Sequence, residues 1–287
     1  MTNEKLKQLK NLASQGDVDA QFQLAEHYWR MFFESDTEDE EEKAKKQCIK
    51  WYKKAALQNH VASQIILGEI YEQGVMGDED CDEAAKWYRL AAVQGHVTGQ
   101  YRLADLCYDE EEYEEAVKWF KKAAQQGDAD SQARLGDYYY YEENDYNEAL
   151  KWLELAAPQG HEEAQFLLGL CYYHGDGVAQ NYKEAVKWFQ KAAEQRQADA
   201  QYFLGQCYSY GNGVAMNDNE SFKWYKLAAG QGDPDAQYNT GLCYELGIGT
   251  EVDLKKAVKW YEESAEQGND DAREALEKLG VSSDTSR

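Results

Sequence analysis

Tryptophan returns along this chain at a nearly constant spacing. Trp51, Trp87, Trp119, Trp152, Trp188, Trp224 and Trp260 are separated by 36, 32, 33, 36, 36 and 36 residues, and only Trp29 stands outside the series. A period of this length marks an array of supersecondary units, each too small to bury its apolar face without its neighbours. A glutamine keeps the same register: Gln21, Gln64, Gln100, Gln132, Gln165, Gln201 and Gln237 precede the tryptophans by 19 to 30 residues. Seven units follow, over residues 16–269.

Each unit reads as two helices. The first opens near "DAQ" and carries Leu67-Gly68, Leu135-Gly136 or Leu204-Gly205, then Tyr71, Tyr139 or Tyr208. That is an apolar stripe along one helix face, with a glycine that admits a close partner. The second helix, typified by "EEAVKWFKKAA", sets Ala116, Trp119, Phe120, Ala123 and Ala124 at i, i+3, i+4, i+7 and i+8, so large and small side chains interdigitate. The tryptophan and alanine sites are expected to carry the core, with Trp152 a central buried example. Gly95, Gly127, Gly160, Gly232 and Gly268 stand where the second helix ends in a left-handed turn. Asn59 can adopt that conformation; Arg196 is expected to strain or reshape its junction.

The pattern A-x-x-LG-x-x-Y, G-x-G-V, then KA-x-x-W[YF]-x-KAA-x-QG resembles the Sel-1-like repeat, a relative of the tetratricopeptide repeat. The resemblance implies an all-α chain folded as an α/α superhelical solenoid of about seven helix-turn-helix repeats. Residues 1–280 are expected to form a single repeat domain, with a capping helix over 1–15, repeats over 16–269, a second cap over 270–280 and a flexible tail over 281–287. The third and fourth repeats replace the glycine-rich loop between helices by the shorter "DEEEY" and "EENDY". The first inserts "ESDTEDEEE", Glu34 to Glu42, whose seven acids in nine residues are expected to stay a solvated loop or fray the flanking helix ends.

Charge narrows the choice of partner. With 54 Asp and Glu against 30 Lys and Arg, the formal charge is -24, which opposes nucleic acid and anionic membranes and favours a basic partner. The opening "MTNEKLKQLKNLASQG" has no apolar signal core, and no run approaches the length of a membrane span, so no direct membrane insertion and a cytoplasmic location are expected. Six cysteines, at 48, 81, 107, 171, 207 and 243, show no CxxC pairing. Cys171, Cys207 and Cys243 share one repeat position, and stacked helices hold such sites about 8–10 Å apart, too far for a disulfide. They read as reduced core residues.

Several features look chemical and have a structural reading. "HGDGV", "YGNGV" and "LGIGT" lack the GK[ST] and the strand–loop–helix setting of a phosphate loop, and read as turns. His60, His96 and His161 occupy a junction site filled elsewhere by Asp128 and Asp233, as a stacked edge feature does. The glutamines are expected to bond the backbone of an adjacent turn. Lys50, Lys86, Lys118, Lys151, Lys187, Lys223 and Lys259 are expected to lie along the packed edge, paired with carboxylates. No catalytic constellation, metal set or cofactor motif stands out, so no enzyme, cofactor or metal is expected.

In tetratricopeptide arrays the first helix lines the concave face, and the resemblance places there the residues one, five, eight and nine after each glutamine. They include the aromatics Phe22, Trp29, Tyr101, Tyr108, Tyr140, Tyr141, Phe166, Tyr173, Tyr202, Tyr210 and Tyr238, with the acids Glu26, Glu69, Glu72, Asp105, Asp109 and Asp137 among them. The competing role for these rings is packing between repeats. What the resemblance implies is a non-enzymatic scaffold or adaptor that binds a basic protein or peptide in an acidic, aromatic groove. The alternative is an immunity or inhibitor protein that neutralises a basic toxin, as some bacterial relatives do; an enzyme with an unrecognised site is the third class.

Overall fold

The computed structural model describes residues 2–281. They pack as two compact units divided between Ser131 and Gln132. In the first unit α1 (Asn3–Ser14) precedes three helix pairs: α2 (Val18–Glu34) with α3 (Glu38–Ala56), α4 (Val61–Glu72) with α5 (Cys81–Val93), and α6 (Val97–Asp109) with α7 (Tyr113–Ala124). Helix α8 (Ala129–Tyr141) carries the chain into the second unit. There it is followed by α9 (Tyr146–Ala156) with a short 3-10 turn, α10 (Glu162–His174), α11 (Tyr182–Glu194), α12 (Ala198–Tyr210), α13 (Asp218–Ala229), α14 (Pro234–Leu246), α15 (Leu254–Glu266) and α16 (Asp270–Lys278). Helices α1 and α16 lie in the two segments where capping helices are expected. Of the tail expected at 281–287, all but Val281 lies outside the described residues.

The helix ends follow from their capping residues. Asp80, Asp145, Asn181, Asn217 and Asp253 each accept a backbone N–H from the first turn of a second helix. At the far end, Gly95, Gly127, Gly160, Gly232 and Gly268 take positive φ, as does Asn59 at 65°. Arg196 takes φ 74° as well. Its junction is nevertheless not reshaped: Gln197 N–H still reaches Ala192 O at 3.1 Å, as His96 N–H reaches Ala91 O at 3.1 Å. The surrounding repeat imposes the turn on an unfavourable residue.

The acidic insertion behaves differently from its expectation. Only Ser35 to Thr37 break the helices, and Glu38, Asp39, Glu40 and Glu41 form the first turn of α3 behind the Thr37 cap. Four acids beside the exposed N–H groups of a helix N-terminus are favourably placed, which offsets their mutual repulsion.

The core lies one residue beyond the tryptophan. Tyr52, Tyr88, Phe120, Leu153, Phe189 and Tyr261 are all 1% exposed or less. In five of the seven first helices a glycine makes room for this side chain, and Ala25 and Ala104 take its place in the other two: a Cβ on Gly169 would come within 2.5 Å of the Phe189 ring, and one on Gly205 within 2.5 Å of Tyr225. Trp51, Trp87, Trp119 and Trp224 are buried, but Trp152, Trp188 and Trp260 are only half-buried, which corrects the expectation that Trp152 is central. Lysines cover the outer faces, with Lys122 Nζ 3.6 Å from the Trp119 ring centre and Lys191 Nζ 3.9 Å from that of Trp188.

The glutamines do what their register implies, and more. Gln21, Gln64, Gln100, Gln165, Gln201 and Gln237 donate to the carbonyls of Ala13, Ala56, Ala92, Ala157, Ala193 and Ala229, at the end of the preceding helix. A second glutamine closes the pair from the next junction: Gln58, Gln94, Gln126, Gln159, Gln195, Gln231 and Gln267 donate to the side-chain oxygens of Gln21, Gln64, Gln100, Gln132, Gln165, Gln201 and Gln237 at 2.7–2.9 Å. Buried amides are thereby satisfied by other amides rather than by water.

Candidate functional site

The first-helix face differs between the units because its acids have different partners. In the first unit Glu26 accepts the Tyr52 hydroxyl at 2.5 Å and Glu72 the Tyr88 hydroxyl at 2.6 Å, while Arg102 approaches Glu72 at 3.7 Å. These two carboxylates serve the repeat core. Burial holds Glu69 above the ordinary carboxylate range, with Arg102 offsetting part of the effect. Phe22 leans on the His60 ring at 4.7 Å, Trp29 meets Phe33 edge-on at 5.3 Å, and Tyr101 tilts against Phe120 at 6.0 Å. Asp105 is half-buried and Asp109, the last residue of α6, is exposed.

In the second unit the expected residues divide. Phe166 is 4% exposed, its ring between Phe189 at 6.0 Å and Phe203 at 5.8 Å, so it is a core side chain and no surface anchor. Tyr140 and Tyr173 turn to the glycine-rich loops, bonding Asp176 at 3.0 Å and Asn212 at 3.1 Å. Tyr141 and Tyr210 stay exposed, at 52% and 68%. Tyr202 and Tyr238 are half-buried against Tyr225 and Tyr261.

Around the exposed Tyr141 stand Asp137, which the register of one, five, eight and nine includes, and further carboxylates that it missed. Burial raises the Glu163 carboxyl above its ordinary range, and Asp137 and Asp199 raise it further, although Gln197 donates to it at 3.3 Å. Burial likewise raises Asp137, which Arg134 offsets, and Asp233, beside Asp199 and Asp235. Partial burial together with Glu163, Asp137 and Asp199 pushes the Tyr141 hydroxyl up to about 12; burial with Asp235 and Asp233 does the same to Tyr202. The partners of these acids are largely neutral amides: Gln197 also bonds Asp199 at 3.0 Å, and Asn269 bonds Asp235 at 2.8 Å. Glu163, Asp199 and Asp235 all stand two residues before the glutamine, in the "DAQ" that reads first as a helix start. That recurrence was the available signal.

Other features resolve structurally. Gly177 of "HGDGV" packs on the start of α9, where a Cβ would lie 2.6 Å from Tyr146 O, and Gly213 and Gly249 meet Tyr182 and Asp218 in the same way. His60 and His161 cap first helices, as Asp233 does. Lys86, Lys118, Lys151, Lys187 and Lys223 pair with the carboxylate three residues earlier. Cys48, Cys107, Cys171, Cys207 and Cys243 are buried thiols and Cys81 is exposed. Among the described residues no group of three His, Cys, Asp or Glu is placed to hold a metal ion, and no helix is long and apolar enough to cross a membrane.

Paired helices and glutamine-bonded junctions define an α/α repeat protein. The chain belongs to the Sel1 repeat family, whose description matches residues 18–60, 61–96, 97–128, 129–161, 162–196, 198–233 and 234–269. Among solved structures it is similar to c5321, a protective antigen present in uropathogenic Escherichia coli strains displaying an SLR fold, with 32% identity and a TM-score of 0.81 over 96% of this chain and 59% of that one. It therefore spans little more than half of that relative. It is also similar to a Sel1 repeat protein from Oxalobacter formigenes, with 29% identity and a TM-score of 0.67 over 97% and 92% of the two chains. No curated protein sequence matches the chain. Sel1 repeat arrays are typically protein-interaction scaffolds.

Proposed function

We propose that the protein is a non-enzymatic scaffold whose first-helix face binds a basic protein or peptide segment, with the second unit as the principal contact. The observation that carries this reading is the run Asp137, Glu163, Asp199 and Asp233 around the exposed Tyr141, in which burial and neighbouring carboxylates raise Asp137, Glu163 and Asp233, with the exposed Tyr210 near Tyr202. A lysine or arginine brought there relieves repulsion that the fold leaves in place, and the tyrosine faces offer rigid area to its alkyl stem. Affinity capture on the intact protein, with identification of what is retained, is the first test. One dominant basic effector would make the protein an inhibitor; several components of one assembly would make it an adaptor. With the partner in hand, Tyr210→Ala is expected to weaken binding by about 2 kcal/mol if it is a hot spot. Glu163→Gln with Asp199→Asn is expected to slow association and flatten its salt dependence. Association that ignores salt, together with unchanged binding by Tyr210→Ala, would remove the interface from this face.

A further inference from the structure

A second surface follows from a part that the array omits. In the fifth, sixth and seventh repeats the loop between helices runs over seven residues, Gly175–Asn181, Gly211–Asn217 and Gly247–Asp253. Each sets its second glycine on the first residue of the preceding second helix, at Tyr146, Tyr182 or Asp218, and Val178 and Val214 from the first two of these loops pack against the core. The first residue of α5 in that register is Cys81. The third repeat, which would cover it, has only Glu110 to Glu112 between its helices. Where the loop would lie, the structure has a cleft of about 920 Å³. Its apolar wall includes Ile70, Tyr71, Met76 and Leu106; its rim carries six carboxylates, among them Asp80, Asp82, Glu110 and Glu112, against Lys86 and Arg89.

We infer that this cleft is a docking site for a loop of a partner protein: a glycine turn bearing an aliphatic residue and flanked by lysine or arginine, seated on the start of α5 as the array seats its own loops. The glycine is required because the host helix start leaves no room for a Cβ at this position in the three occupied cases, at 2.6 Å from Tyr146 O in the first. The aliphatic residue takes the place of Val178. The basic flank answers the rim, whose six acids outnumber its two bases. This surface lies wholly within the first unit and does not depend on the face proposed above.

The probe is the synthetic peptide amide Lys-Gly-Lys-Gly-Val-Lys-Gln, tested on the intact protein by its effect on maleimide labelling of Cys81, the exposed cysteine. At saturation it is expected to slow labelling at least about fivefold, and replacement of its valine by aspartate, or of its second glycine by valine, to abolish protection. Replacing Glu110–Glu112 by Gly-Asp-Gly-Val-Ala-Gln-Asn fills the cleft from within, and is expected to protect Cys81 without peptide and to remove peptide binding. Ala85→Arg, on the cleft wall, blocks the site without altering chain length and is expected to abolish peptide protection. Tyr210→Ala should leave it unchanged. Labelling that is indifferent to the peptide, equal protection by a scrambled peptide of the same charge, or undiminished peptide binding to the filled variants overturns the inference.

Discussion

In the first, second, sixth and seventh repeats the ring behind the tryptophan is Tyr52, Tyr88, Tyr225 or Tyr261; in the third, fourth and fifth that place is taken by Phe120, Leu153 and Phe189. The first helix answers each choice. Where the core offers a hydroxyl, Glu26, Glu72, Ser209 or Glu245 meets it. Where the core is purely apolar, the residue eight after the glutamine is itself a ring, Tyr108, Tyr140 or Tyr173, and two of these turn outward to a loop of the next repeat. An acid on the first-helix face therefore has two possible meanings. Glu72 completes a buried hydrogen bond, whereas Glu163 is held near other carboxylates by burial and an amide. Only the second kind gains from a cation brought in by a partner.

The largest effect separates the ring behind the tryptophan from the tryptophan itself. Phe189→Ala removes a fully buried ring and is expected to cost about 3–5 kcal/mol in urea melts. Trp188→Ala, at a half-buried site, is expected to cost clearly less. Equal losses would return the tryptophan to the centre of the core. Because each repeat meets only its neighbours, the Phe189 variant is also expected to unfold in more than one step.

The next effect tests the hydroxyl–carboxylate pairs. Tyr88→Phe leaves Glu72 without its buried donor and is expected to cost about 1–3 kcal/mol. Adding Glu72→Leu to Tyr88→Phe is expected to recover part of that loss, because both partners are then apolar. A double-mutant cycle with no coupling would mean that the Glu72 contact is incidental.

The periodic parts of this architecture were legible because every repeat restates them. The seven units, the paired helices, the capping junctions and the glutamine bonds to the backbone all follow from spacing, and spacing survives substitution of the residues between; the amide pairs between the two glutamine series do not follow from it. Which of two adjacent large side chains faces the partner helix was not legible, since Trp188 and Phe189 differ by one helical step and both belong to an apolar stripe. Phe166 shows the same limit at the surface. It shares its register with Tyr202, yet Phe203 in the next repeat closes over it, so a neighbour's sequence decides its exposure. The acidic insertion was misread because composition argues for solvation, while Thr37 supplies a cap and the helix N-terminus a place for the charge.

Short turns give a smaller contrast. Glu111 holds φ 61° in the turn that replaces the third loop, a left-handed conformation that Asn59 and the junction glycines adopt at less cost. Glu111→Gly is expected to raise stability by about 0.5–1 kcal/mol, the relief of strain exceeding the added freedom of the unfolded chain. A lower Tm in calorimetry would show that the Glu111 side chain contributes more than its backbone costs.

The smallest expected effect carries opposite signs at the two kinds of acid. Glu163 faces Asp137, Asp199 and Glu162 as well as Tyr141, with Gln197 as its donor, and its carboxyl is raised in the folded chain, chiefly by burial. A raised carboxyl means that the folded state binds more protons than the unfolded one between the two pKa values, so stability falls as pH rises through that window. Glu163→Gln removes the penalty and is expected to stabilise at pH 7 by a few tenths to about 1 kcal/mol, the usual size of partly exposed charge terms. The advantage is expected to shrink as pH falls towards the unfolded carboxyl's pKa and to vanish by about pH 3, where the parent carboxyl is protonated in both states. Glu72→Gln, which weakens the bond to Tyr88, is expected to destabilise at pH 7 instead. Urea midpoints of both variants across this pH range decide the matter: the same sign for both at pH 7 would erase the distinction between a carboxylate the core consumes and one left for a partner.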